Sequence, residues 1–300
     1  MFEHFTVAEV APGVHAAIAG TTGAAVGNAT IIDTGRQTVV VDTFQTAQAA
    51  EDLRTAAGEL TGRSAFLVVN THWHSDHTQG NQAFGEAPIV STRATLDLMV
   101  ANAPTDLGAY EVEIDGYLAS LTAQLESNDE AAQETIRRRI AGVEQIKLAA
   151  PGFRLTLPTV LFDDRLVITG DRTLEVLTYG GGHTDSDVFV WIPGDRLLVA
   201  GDLCWTRIHP RVVDGHPKKW AEILEGINLL SPAVVIPGHG KVAGPEVPAE
   251  LAPYFRHVAA MVDDVRTGAD PASLPLPEGS ERWDGPERLR VGLEELAGRA

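Results

Sequence analysis

Between Asn70 and Asn81 the chain reads NTHWHSDHTQGN, which crowds His72, His74, Asp76 and His77 into a single short stretch. Imidazoles and a carboxylate gathered this densely are costly to bury unless a cation is shared among them. In an extended segment alternate side chains face the same way, so His72 and His74 can grip one ion from one side. Asp76 and His77, a turn further on, can serve a second ion nearby. A hard carboxylate beside imidazoles suits zinc and tolerates iron or manganese. The cluster therefore asks for two metals, or for one metal and a shell of supporting groups.

Further donors stand at the ends of later apolar runs: His183 in GGGHTDSD, Asp202 in LLVAGD and His239 in IPGHG. Taken singly, each has an ordinary structural reading, as a turn histidine or the aspartate that ends a strand. Asp42, closing VVVDT, has the same ordinary reading. Their order after the dense cluster gives them a joint one. Two close divalent ions can hold a water as hydroxide near neutral pH, because zinc lowers the pKa of bound water from 15.7 to about 7. Such a pair also polarises a carbonyl or phosphoryl oxygen and stabilises a leaving group. A protein nucleophile is then unnecessary, and no G-x-S-x-G elbow occurs in the chain. Cys204, two residues past Asp202, reads as a packed core thiol.

These donors need rigid elements behind them. GVHAAIAG, AVGNATIIDTG and QTVVVDT read as strands bounded by Gly and turn residues, AAEDLRTAAGEL as a helix, and SAFLVVN as the buried strand that delivers the chain to His72. PIV, TVLF, RLVITG, TLEVLTY, DVFVWI, RLLVAGD and VVIPGHG continue the strand series. Short strands interleaved with helices predict an α/β layered architecture with a mixed sheet. Between about 103 and 152 the pattern becomes helical, through Leu118, Leu121 and Leu125, a capping box at Ser127 and Glu130, then Ala132, Ile136, Ile140, Val143 and Ile146. This predicts a helical hairpin inserted between sheet elements, either a surface bundle or a wall over the site, with apolar surface enough for a homodimer contact. Past about 246 a C-terminal helical extension is expected in ELAPYFRHVAAMVDDVR and PERLRVGLEELAGRA, joined by the linker-like TGADPASLPLPEGSE. The whole, 1–300, reads as one domain.

Composition narrows the partners. With 23 basic and 41 acidic residues the formal charge is −18. No basic block offsets it, so neither nucleic acid nor an anionic membrane is an expected partner. One cysteine excludes an intramolecular disulfide and a cysteine-based structural zinc site. The opening MFEHFTVAEV lacks a signal-peptide pattern and no apolar run approaches a membrane span, which predicts a cytoplasmic protein.

The ordered motifs VVVDT, THWHSDH, GGGHT, AGD and IPGHG resemble those of the metallo-β-lactamase fold superfamily, over roughly residues 10 to 240. The resemblance implies the four-layered αββα fold, here with the helical insertion. It implies that His72, His74 and His183 bind one metal, that Asp76, His77 and His239 bind a second, and that Asp202 bridges them. By the same resemblance Asp42 supports the ligands from behind and Asp76 steers an attacking hydroxide, which makes these two the catalytic candidates beside two Zn2+ per chain. The best-known β-lactamases of the superfamily carry Cys where this chain has Asp202; an Asp there is similar to glyoxalase II and the acyl-homoserine lactonases. The expected activity is hydrolysis of an ester, thioester, lactone or amide. Two alternatives are a persulfide dioxygenase, with one iron on His72, His183 and Asp202, and a non-catalytic metal-binding protein. Trp73, Trp205, Arg207, His209 and His216 are the candidate substrate contacts, with Arg211, Lys218 and Lys219 near them, whereas His4, His15 and His257 read as surface or packing residues.

Overall fold

Two sheets organise the chain, and each takes its order from runs of β-branched residues met in sequence. The computed structural model describes residues 2–20, 24–104, 107–125 and 130–299. Its internal contacts divide into two compact units, 1–91 with 96–161, and 92–95 with 162–300.

The first unit carries a seven-stranded sheet in simple chain order: β1 (Phe5–Ala11), β2 (Val14–Ala19), β3 (Ala29–Asp33), β4 (Thr38–Val41), β5 (Phe66–Val69), β6 (Ile89–Thr92) and β7 (Val160–Phe162). The first four strands pair antiparallel, and β4, β5 and β6 run parallel. The β4–β5 crossover is α1 (Ala47–Thr61), as a parallel connection requires. Thr46 caps it by accepting from the Ala49 N–H, and Gly62 ends it in the left-handed region at φ 66°. Its buried face of Ala49, Ala50, Leu53, Ala56 and Ala57 joins Ile31, Val40, Phe44 and Val68 in one apolar cluster. Strand β1 was not among the sequence expectations. Glu9 interrupts the alternate apolar set of Phe5, Val7 and Ala11, and the strand is held as an edge by register with β2.

A short helix, α2 (Ser75–Thr78), follows the histidine cluster, and α3 (Arg93–Asn102) follows β6. The helical stretch resolves into α4 (Leu107–Leu125) and α5 (Glu130–Ala149). Leu121 and Ile136 are buried there, while Leu118, Leu125, Ile140, Val143 and Ile146 are half-buried. Ser127 of the expected capping box lies outside the described residues.

The second unit carries a five-stranded sheet in the order β12-β11-β10-β9-β8, from β8 (Arg165–Thr169), β9 (Thr173–Leu177), β10 (Phe189–Ile192), β11 (Leu197–Trp205) and β12 (Val234–His239). Only β11 and β12 pair in parallel, across α6 (Pro217–Leu229). Helices α7 (Glu246–Arg266) and α8 (Pro286–Gly298) complete the unit. Its core is aromatic: Trp220 of α6 stacks on Phe255 of α7 with ring centroids 3.7 Å apart. Among the described residues no helix is long and apolar enough to cross a membrane.

Candidate metal centre

In the first unit the site is built backwards from Asp42. The residue leaves β4 with φ 61°, a left-handed conformation that Asp tolerates better than most residues. Its Oδ1 accepts the Thr71 N–H at 2.8 Å, and its Oδ2 accepts the Thr71 hydroxyl at 2.7 Å and lies 2.8 Å from His77 Nδ1. Burial pushes the Asp42 carboxyl above its ordinary pKa, against the opposing pull of His77 and of the bonds from His77 and Thr71. Thr71 Oγ1 also lies 3.0 Å from His72 Nδ1. One buried carboxylate and one hydroxyl therefore orient two imidazoles, and Nε2 is the nitrogen each can give to an ion.

The His72 ring centroid is 4.7 Å from that of His74 and 4.5 Å from that of His77. Asp76 Oδ2 stands 3.5 Å from His77 Nε2. His72 and His74 do not lie in a strand; the chain bends through them into α2, whose start is fixed by the His77 N–H donating to His74 O. Beneath this bend Asn70 and Asn81 pair their side-chain amides at 3.0 and 2.9 Å, and Thr43 donates to Asn81 Oδ1. Gly27 brings the backbone up to the His77 ring, where a Cβ would lie 2.8 Å from Nε2.

In the second unit Asp202 lies buried in β11. Its Oδ2 is 3.2 Å from His183 Nε2 and its Oδ1 is 3.4 Å from His239 Nε2. The two oxygens thus address different imidazoles. His183 is held by a turn closed by Asp187, whose Oδ2 accepts the backbone N–H groups of Gly182 at 2.8 Å, His183 at 2.6 Å and Thr184 at 3.1 Å. Burial, opposed by His183 and these bonds, pushes the Asp187 carboxyl above its ordinary pKa. Gly238 permits β12 to pass Asp202, because a Cβ at that position would fall on the Asp202 carboxylate. The Trp205 ring lies 4.0 Å from His239 at 32°, and Trp220 is 5.1 Å from His183. In this unit two imidazoles address one buried carboxylate, a set of donor types that fits zinc or a similar divalent ion.

The candidate substrate contacts have different surroundings. Trp73 is half-buried with its ring 4.5 Å from His74, and Arg207 is exposed with φ 59°. His216 is exposed and lies 2.7 Å from Asp185 Oδ1. His209, expected near substrate from its closeness to Asp202 in sequence, is fully buried with Nδ1 2.9 Å from the Tyr254 hydroxyl. Burial holds its pKa below the ordinary value, so it packs as a neutral ring. Cys204 is buried as expected, and burial pushes its thiol up. Thr71 and Asp187 were missed by the sequence reading. A Thr directly before the cluster and an Asp four residues after His183 were the available signals.

Two sheets with helices define the class, an α/β protein whose His and Asp donors are of the types that hold a divalent ion. Residues 22–239 match the family model described as the Metallo-beta-lactamase superfamily, and the chain belongs to that superfamily. A metallo-beta-lactamase type 2 of Bacteroides fragilis is 28% identical over 101 residues, covering 31% of this chain and 40% of that protein. One from Bacillus sp. (strain 170) is 30% identical over 78 residues, covering 24% of this chain and 30% of that protein. The matched stretches thus span less than half of these curated relatives. Among solved structures, a metallo-beta-lactamase from Pontibacter korlensis superposes with TM-score 0.62 at 19% identity, covering 84% of this chain and 99% of that one. A stereoselective inverting sec-alkylsulfatase from Pseudomonas sp. gives 0.69 at 18% identity, covering 98% of this chain and 50% of that one. These likenesses show the metallo-β-lactamase fold, as the ordered motifs imply.

Proposed function

We propose that the chain is a dinuclear, zinc-dependent hydrolase that cleaves an ester, thioester, lactone or amide bond of a small molecule, in a cytoplasmic setting. The observation that carries this reading is Asp202, whose two carboxylate oxygens each approach a different histidine. Further support comes from the donors gathered within each unit: His72, His74, Asp76 and His77 in the first, and His183, Asp202 and His239 in the second. Zinc at these donors would supply Lewis-acid polarisation of the substrate and a nucleophilic water at neutral pH. Asp42 and Thr71 hold the tautomers of His77 and His72. Asp76, adjacent to His77, is the side chain suited to orient the attacking water. Trp73, half-buried beside His74, offers apolar surface to a substrate and Arg207 an exposed cation for a carboxylate, whereas Trp205 is buried against His239 and packs instead of meeting substrate.

The test is a panel of ester, thioester, lactone and β-lactam substrates, the last because the curated relatives carry that name. Replacing His74 or Asp202 by Ala should abolish turnover and lower metal content. Turnover retained in either variant would overturn the assignment. Oxygen uptake with a persulfide, supported by one bound iron, would replace it with the dioxygenase alternative.

A further inference from the structure

The segment joining α7 to α8 reads in sequence as a linker, yet its far end is bound to the loop that follows Asp202. Asp284 N–H donates to Arg207 O at 3.0 Å and His209 N–H donates to Asp284 O at 2.8 Å, forming a parallel bridge between Ile208 and Asp284. Trp283 stacks on Tyr254 at 5.2 Å and 18°, and the Tyr254 hydroxyl lies 2.9 Å from His209 Nδ1. Arg288, on the first turn of α8, donates from Nη1 to His209 O at 3.1 Å. Its guanidinium also lies over the Trp205 ring, 5.6 Å from the centroid. Trp205 is in turn the aromatic face 4.0 Å from the His239 ring, and the two residues are register partners across β11 and β12. Gly285 makes room for this arrangement: it starts α8 at φ 78°, and a Cβ there would lie 3.2 Å from Arg288 Nη1.

We propose that Arg288 is a positioning residue, which clamps Trp205 against His239 and so fixes the imidazole that the second metal group requires. The link to metal rests on the hydrolase reading above; the clamp itself does not. A cation over an indole face is attracted by the ring quadrupole, and a backbone carbonyl holding the same guanidinium sets its place. The ring below it is then held in its tilted contact with His239, 32° between the planes. The C-terminal helix thereby acts on the site without supplying a ligand.

The experiment uses the full chain labelled with 5-fluorotryptophan, with the Trp205 resonance assigned through Trp205→Phe. In metal-free protein, Arg288→Lys, which keeps a cation and a long stem, should leave the Trp205 fluorine signal near its wild-type position. Arg288→Gln, which keeps much of the stem but no charge, should shift and broaden it. Equal signals in the two variants would overturn the clamp, and because both side chains retain bulk the comparison does not depend on a cavity-forming variant. In zinc-loaded protein, chelator competition should show the ion that His239→Ala loses bound about 10- to 100-fold less tightly in Arg288→Gln, as for other groups that orient ligands from behind. The other ion should be unchanged, and equal weakening of both ions would also overturn the proposal. A wild-type chain that bound no metal would dismiss the hydrolase reading while the fluorine comparison still decided the clamp.

Discussion

Asp42 answers for the orientation of two candidate donors. Its carboxylate holds Thr71 through backbone and hydroxyl and lies against His77, and Thr71 lies against His72. Replacing it with Asn keeps the volume but removes an acceptor and the charge. Asp42→Asn is expected to weaken metal binding about 10- to 100-fold, read by chelator competition, with turnover restored in part by excess zinc. Unchanged affinity would show that His77 is oriented by other means. The histidines were legible in the sequence because their type is scarce and their spacing dense. Thr71 and Asp187 were not, because threonine and aspartate near turns are common and only the folded backbone shows which N–H groups they collect. His209 marks the reverse error: nearness to Asp202 in sequence suggested substrate, but the bridge to Asp284 turns its ring to Tyr254.

Among the elements, α2, the turn at His183 and strands β11 and β12 carry donors, and glycine sets how closely strands can pass. The Gly238→Ala change would place a methyl group on the Asp202 carboxylate. It is expected to lose metal and activity together, because the shared carboxylate must move. Gly116→Ala is the matched control: it lies within α4 with nothing within 4 Å of its Cβ position. That change should leave metal content intact and raise stability by about 0.8–1 kcal/mol, the helix-propensity difference. Thermal melts and elemental analysis of the two variants make the comparison, and full metal content in Gly238→Ala would contradict the close approach. Most strands were legible as apolar runs bounded by turn residues. Strand β1 was obscured by its edge position, and the stretch before α8 by a Pro-rich composition that hides its bonds to Arg207 and His209.

For the whole molecule, the motif order was readable across both units while their geometry was not. The chain distributes its donors so widely that no local pattern after Asn81 identifies one, and only the dense first cluster gives the later His and Asp residues a common meaning. A chain of formal charge −18 carries these His and Asp donors, and bound divalent cations would offset part of that charge. Metal at the proposed site also adds to folding stability, since an ion that binds only the native chain stabilises it by mass action. The first measurement is metal content per chain, by elemental analysis of untagged protein purified without chelator. About two zinc ions per chain are expected, as for a two-metal hydrolytic site. A single iron, or no bound metal after zinc supplementation, would rule out the dinuclear zinc hydrolase.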